Sequence, residues 1–233
     1  MMKRPKVILS DLRRFVLEGR MLYSAPQRWT AAGWGVFTFF MLAIAGSFVA
    51  DELVRRWLVT QHNPIWDVVF AFGHWYGPGK PTLYVFASLY LVGIMFAVTT
   101  IRERGVLIAE SYLLSGVLTI AMKSLFGRWR PYTDHGSLAF FPLTWGPNDH
   151  LSFPSGHATV AFALSSVIAG MYPHRWWQIF WYALAVITAV SRMYHDQHWL
   201  SDVLFSALLG TSVGVWLVNQ HFQRSRGDFY VKS

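Results

Sequence analysis

The chain has 233 residues, 54% hydrophobic and 17% aromatic, with only 14% charged and a mean hydropathy of +0.32; this excludes an ordinary water-soluble domain and indicates a polytopic membrane protein. A formal charge of +8 raises nucleic acid as a partner, but no basic run is interleaved with aromatics able to track a phosphate backbone. No nucleic acid is therefore expected, and the charge is assigned to cytoplasmic loops.

The absence of cysteine removes both a disulfide framework and thiol chemistry. The N-terminus, MMKRPKVILSDLRRFVLEGRMLYSAPQR, is basic and lacks a signal-like apolar core or small-residue cleavage site. Residues 1–30 are expected to stay cytoplasmic or interfacial, as an amphipathic helix on anionic headgroups. A spanning helix needs about 20 mostly apolar residues. Six candidates follow, near 31–50, 81–100, 105–123, 157–172, 176–194 and 199–218. NPIWDVVFAFGHWYG, residues 63–77, is too short and interrupted to span and reads as an interfacial or re-entrant segment. No repeat or linker marks a second domain. The expected fold is all-α, a six-helix transmembrane bundle over 31–220, preceded by the N-terminal segment and followed by a cytoplasmic tail at 221–233.

With the N-terminus inside, 13 of the 20 Lys and Arg residues fall on the cytoplasmic side, which places both termini there. Loops 124–156 and 191–199 then share the outer face. Trp29, Trp57, Trp129, Trp176, Trp177 and Trp199 fall near span ends, as an interfacial belt would.

Three clusters gather on that outer face. In KSLFGRWRP, Lys123 and Arg130 flank the end of the third span; taken alone they complement a helix dipole and snorkel. In FPSGHATVAF, Pro154, Ser155, Gly156 and His157 lead into the fourth span, where Ser caps a helix and free amides point toward an anion. In SRMYHDQHWLSD, Ser191 and Arg192 end the fifth span, and His198 and Asp202 begin the sixth. Their spacing of four sets them on one helical face, with the carboxylate fixing the imidazole tautomer and the other nitrogen left as a nucleophile. Each cluster alone has a structural explanation. Together, Lys123, Arg130 and Arg192 with the Ser155–His157 turn describe a socket for a tetrahedral dianion, and ionisable groups at membrane depth are functional candidates.

The complete pattern, Lys123, six residues, Arg130-Pro131, then Pro154-Ser155-Gly156-His157, then Ser191-Arg192, five residues, His198, three residues, Asp202, resembles the tripartite signature of the type 2 phosphatidic acid phosphatase superfamily. The resemblance covers about residues 105–218 without a departure at any signature position. It implies a metal-free, cofactor-free phosphatase that works through a phosphohistidine. His198 attacks phosphorus, Asp202 orients its ring, and His157 protonates the leaving group and then activates water. Lys123, Arg130 and Arg192 hold the phosphoryl oxygens with the Ser155 hydroxyl and the Gly156 amide. The nearby carboxylates Asp134, Asp149, Asp196 and Asp202 form no recognisable metal-ligand set.

The expected substrate is an amphiphilic phosphate ester or diphosphate: phosphatidic acid, phosphatidylglycerol phosphate, an isoprenoid diphosphate such as the undecaprenyl carrier, or a lipid A phosphate. The expected location is a bacterial inner membrane, with the site facing the periplasm or exterior. Competing readings are a phosphotransferase to a lipid acceptor, a vanadium-dependent haloperoxidase, which the six spans disfavour, and a scaffold or transporter. His195 and Asp196 are expected to line a wet cavity, and Asp134, His135, Asp149 and His150 to be solvated loop residues. Glu110 is expected to pair with a neighbouring helix or snorkel. Gly210 and Gly214 should allow close helix packing, and Phe140 and Phe141 should dip into the interface or cover the site.

Overall fold

The computed structural model describes residues 4–77 and 79–225, and within them the chain is helical. The first five residues of the expected tail, 221–225, continue the last helix, and the rest of it lies outside the described residues. Among the described residues nine α-helices carry the fold. α1 is Arg4–Ser24, α2 Ala31–Ser47, α3 Asp51–Val59, α4 Pro64–Tyr76 and α5 Gly79–Met95. α6 is Thr99–Phe126, α7 Gly156–Gly170, α8 Arg175–Tyr194 and α9 Leu200–Ser225.

Helices stand at all six positions where spans are expected. Three of them are long and apolar enough to cross a membrane: Ala31–Val59, in which α2 continues through a short turn into α3, Thr99–Phe126, and Leu200–Gln223. The others are shorter or more polar. The 15 residues of α7 rise about 22 Å at 1.5 Å each, less than a hydrocarbon core of about 30 Å. α8 opens on Arg-Trp-Trp-Gln and closes on Ser-Arg-Met-Tyr. The third expected span begins at Thr99 instead of 105, because only Phe96–Val98 separate α5 from α6.

The 63–77 stretch forms the 13-residue helix α4. Asn63 starts it by accepting from the Ile65 and Trp66 amides at 3.1 and 3.2 Å, and Pro64 occupies the first turn, where no N–H is needed. α4 lies along α8.

α1 turns a stripe of Asp11, Arg14, Phe15, Glu18 and Leu22 toward the bundle. Arg14 reaches Glu110 of α6 and Glu18, each at 3.1 Å, and Tyr90 of α5 donates to Asp11 at 3.0 Å. Phe15 and Leu22 pack on the core. Ile8, Leu9, Leu12 and Val16 remain exposed, so the helix turns Asp11, Arg14 and Glu18 inward with Phe15 and Leu22 and leaves an aliphatic flank outside.

The centre of the bundle is α7. Ala158, Ala161, Ala163 and Val167 are fully enclosed. Its polar side chains are paired, as burial requires. The Tyr76 hydroxyl meets Ser165 at 3.0 Å and Tyr182 donates to Ser166 at 2.9 Å. α9 crosses α7 at backbone distance, because a Cβ on Gly210 would lie 2.3 Å from the Thr159 carbonyl oxygen and one on Gly214 2.5 Å from that of Ala163. These two glycines one turn apart therefore serve close packing inside the bundle. Gly210→Ala must push α9 off α7 and is expected to cost about 1–3 kcal/mol, read as a lower unfolding temperature in detergent. Gly35→Ala, whose methyl enters open space, should not lower it.

Candidate active site

The α7–α9 contact sets the first turns of both helices side by side, and the segment after α6 is tied across them. α6 ends at Gly127, which takes the left-handed conformation (φ +57°) and donates to the Lys123 carbonyl at 2.9 Å. Any side chain there would collide with the Phe141 carbonyl, 1.7 Å from the Cβ position. The chain folds back so that the amides of Phe141, Leu143 and Thr144 reach the carbonyls of Gly127, Leu125 and Ser124 at 2.7, 3.2 and 2.9 Å, satisfying acceptors left open at the helix end. On the other side, Arg130 donates its amide to Asp149 and Ser152 donates to Arg128, both at 2.9 Å. Segment 127–130 is thus held between two strands of its own loop.

The expected cations are buried or half-buried at this end. Lys123 donates from Nζ to the Leu151 carbonyl, with that of Ser152 at 3.4 Å. Arg130 gives Nε and one terminal nitrogen to Asn148 at 2.9 and 2.7 Å and the other terminal nitrogen to Gln197 at 2.7 Å. Each terminal nitrogen retains a second hydrogen, and Lys123 a third, for another acceptor. Arg192, in the last turn of α8, is buried and lies within Coulombic reach of Lys123, as do Arg130 and Asp202. Ser155 caps α7, its hydroxyl accepting from the Ala158 amide at 3.5 Å, so its resting partner is its own helix. A Cβ on Gly156 would lie 3.9 Å from Lys123 Cε, and one on Gly77 at the end of α4 would lie 2.8 Å from His157 Cβ, so His157 stands beside that turn.

His198 and Asp202 meet, though not on a helical face. α9 begins only at Leu200, so His198 precedes it, and Asp202 in the first turn reaches back to the Trp199 amide at 2.9 Å. This is a capping arrangement. The same oxygen lies 3.5 Å from His198 Nδ1 and accepts from Ser152 at 2.5 Å. Burial pushes His198 well below the usual imidazole range; Asp202 opposes this, while Lys123 and Arg130 add to it. The ring is therefore neutral near pH 7, with Nε2 as its second nitrogen.

Four residues around Asp202 escaped the sequence reading. Arg128 is fully buried and donates to Asp202 Oδ1 at 2.5 Å and to Asp51 Oδ2 at 2.6 Å. It also reaches Ser201 Oγ at 2.7 Å and the Ser137 carbonyl at 2.6 and 2.9 Å. Asp51 in turn accepts from the Ser201 amide at 2.8 Å and hydroxyl at 2.7 Å. Ser152 completes the set. The available signal was Asp51 itself, an acid closing a long apolar run and so requiring a buried partner.

Of the loop residues expected to be solvated, Asp134 and His135 are exposed, whereas Asp149 and His150 are half-buried. Arg55 clamps Asp196 through two bonds of 2.8 and 2.7 Å and holds Asp134 at 2.7 Å, so Asp196 joins an ion pair instead of simply lining a wet cavity. The rings of His135 and His150 each lie 3.8 Å from Trp129. Tyr132 donates to Asp149 at 2.5 Å, and His195 Nδ1 lies 2.6 Å from the Ser191 carbonyl. Phe140 packs on Phe48, and Phe141 is exposed. Glu110 pairs with α1, away from the site. Among the described residues no three His, Asp or Glu side chains converge as a metal-ligand set.

The profile of the PAP2 superfamily matches residues 104–226. The chain is 34% identical over 122 residues to the lipid A 1-phosphatase of Porphyromonas gingivalis, covering 50% of this chain and 24% of that protein. It is 32% identical over 132 residues to the putative undecaprenyl-diphosphatase YbjG of Escherichia coli, covering 56% and 64%. The chain thus spans less than two thirds of either relative. The crystal structure of a PAP2 type phosphatidylglycerolphosphate phosphatase from Bacillus subtilis superposes with a TM-score of 0.59 at 22% identity, covering 82% of this chain and 95% of that one, which shows a shared fold.

Ring NMR in micelles should place the His198 midpoint below the usual value of about 6.5. Asp202→Asn, which removes the charge favouring protonation, should lower it further, and Lys123→Met should raise it.

Proposed function

Since the chain belongs to the PAP2 superfamily, we propose that it is an integral-membrane lipid phosphatase hydrolysing a lipid phosphomonoester or diphosphate through a phosphohistidine. The observation that carries this reading is the set of cations Lys123, Arg130 and Arg192 around the buried His198–Asp202 pair. Three positive charges gathered where water is scarce favour an anion among them, and a phosphoryl group fits there beside a neutral imidazole.

In the first step His198 Nε2 attacks phosphorus in line. The bond from phosphorus to the leaving oxygen breaks, and His157 gives that oxygen a proton. Asp202 faces Nδ1 and stabilises the imidazolium. In the second step His157 takes a proton from water, the hydroxide attacks phosphorus, and the N–P bond breaks to release phosphate and neutral His198. Lys123, Arg130 and Arg192 hold the phosphoryl oxygens throughout, and the first-turn amides of α7 at Gly156 add donors. The Ser155 hydroxyl, which only accepts in its 3.5 Å cap, donates its own hydrogen to a phosphoryl oxygen. Fixed cations do the electrostatic work, and the reaction is metal-independent.

The proposed topology is six helices over residues 31–220 in a bacterial inner membrane, both termini cytoplasmic and the site on the outer face. The bias of Lys and Arg toward the termini supports it. α1 then rests at the cytoplasmic interface with Ile8, Leu9, Leu12 and Val16 toward the acyl region, and residues 221–233 form the tail. The proposed substrates are phosphatidic acid, phosphatidylglycerol phosphate and an isoprenoid diphosphate such as undecaprenyl diphosphate. The names of the relatives keep a lipid A phosphate among the alternatives.

Purified protein assayed on a panel of these lipids should release inorganic phosphate from at least one; a newly phosphorylated lipid instead would indicate transfer. His198→Ala should abolish release while the protein stays folded, and wild-type turnover in that variant would remove the nucleophile assignment. Orthovanadate should inhibit, and chelators should leave the rate unchanged.

A further inference from the structure

The phosphohistidine reading leaves Asp51 and Arg128 without a role, although they form the most completely buried ion network at the site. Asp51 lies on α3, outside residues 104–226 that match the family profile. We propose that Asp51, acting through Arg128, is a positioning residue for the reaction: it takes up half of the Arg128 charge, so that Asp202 keeps enough negative charge to stabilise the imidazolium formed when His198 is phosphorylated.

The hydrogen bonds around Arg128 fix this division. Every nitrogen of its guanidinium is engaged: one terminal nitrogen on Asp202 and Ser201, the other on Asp51 and Ser137, and Nε on Ser137. The rings of Phe48, Phe140 and Trp199 stand 4.5, 5.4 and 5.5 Å from its central carbon and exclude water. The planar fork therefore has a single placement, with a carboxylate on each terminal nitrogen. Asp51 accepts from Arg128, the Ser201 amide and the Ser201 hydroxyl and donates to nothing, the pattern of an ionised carboxylate.

Two carboxylates and one guanidinium leave one net negative charge behind His198. Phosphorylation of Nε2 while Nδ1 keeps its hydrogen creates one positive charge on the ring. The two balance in a region closed to solvent, where charge is poorly screened. If Asp51 carried no charge, Arg128 would neutralise Asp202 alone, and the developing imidazolium would face a neutral cluster while Lys123 and Arg130 repel it. Asp51 has a second handle, because its bonds to Ser201 fix the start of α9, from which Asp202 projects. Substrate binding needs neither effect, since the phosphate cations are separate residues.

The proposal rests on the phosphohistidine reading, and the test separates the two. The probe is dioctanoyl phosphatidic acid in detergent micelles, with rates expressed per folded molecule. Asp51→Asn should lower kcat by about ten- to a hundredfold, the usual scale for a partner one shell behind the reacting group, with KM changed by less than about twofold. It should also lower the phosphoenzyme trapped by alkaline quench. Asp51→Glu, which restores the charge, should recover part of kcat. Should Asp51→Asn fold poorly, Asp51→Glu against Asp51→Gln gives the same contrast at constant length. Wild-type kcat in the neutral variants, equal losses in the charged and neutral ones, or a change confined to KM would overturn the role of Asp51. An active His198→Ala would instead overturn the phosphohistidine reading beneath it.

Discussion

Positive charge buried where helices end is the constraint around which the site end of this protein is organised. Lys123, Arg128, Arg130 and Arg192 all lie in one region that water reaches poorly. Each has cost desolvation energy that must be offset locally. Arg128 is offset by Asp51 and Asp202 and is closed in by aromatic rings. Lys123 and Arg130 are met by backbone carbonyls, Asn148 and Gln197, which orient a cation without neutralising it. That difference separates the side of His198 that holds a balanced ion network from the side that stays electropositive.

The architecture needed to maintain this is backbone contact. Gly210 and Gly214 let α9 approach the carbonyls of α7, which fixes the Ser155–His157 turn relative to His198 and Asp202. The loop from Gly127 to Phe153 then binds the third partner. The Trp199 indole donates to the Trp129 carbonyl at 2.9 Å and the Tyr132 amide reaches Asp196 at 3.3 Å, so the first and third motifs are joined directly. Rigid placement of charge, instead of charge recruited on binding, is what lowers a barrier to phosphoryl transfer.

Much of this was legible in the sequence. Ionisable residues are rare enough in an apolar chain that Lys123, Arg130, His157, Arg192, His198 and Asp202 stood out at fixed spacing, and the helical pattern was readable wherever apolar runs were long. The pairing of His198 with Asp202 was reached by the wrong geometry. A spacing of four implies a shared helical face, whereas here a first-turn carboxylate reaches back past the start of its helix. Asp51 and Arg128 were not legible because 77 positions separate them, and their meeting depends on how α3 packs against α9. Loop 132–153 read as solvated because its polar side chains resemble those of any surface loop, and sequence does not reveal that its backbone grips Lys123 and Arg130. Span count was the least readable feature, since the length of a buried helix such as α7 does not track the thickness of a bilayer.

The orientation of α1 bears on the opposite end of the molecule. Its guanidinium at Arg14 is a counterion for Glu110 inside α6, while its aliphatic flank is uncovered. The two halves of that arrangement are thermodynamically linked. Water at the aliphatic flank would favour turning the helix over, and turning it over would strand an acid within a greasy rod. A nonpolar medium outside therefore helps to keep the counterion inside, so that the ionic state of α6 is tied to the solvent touching its amino-terminal neighbour.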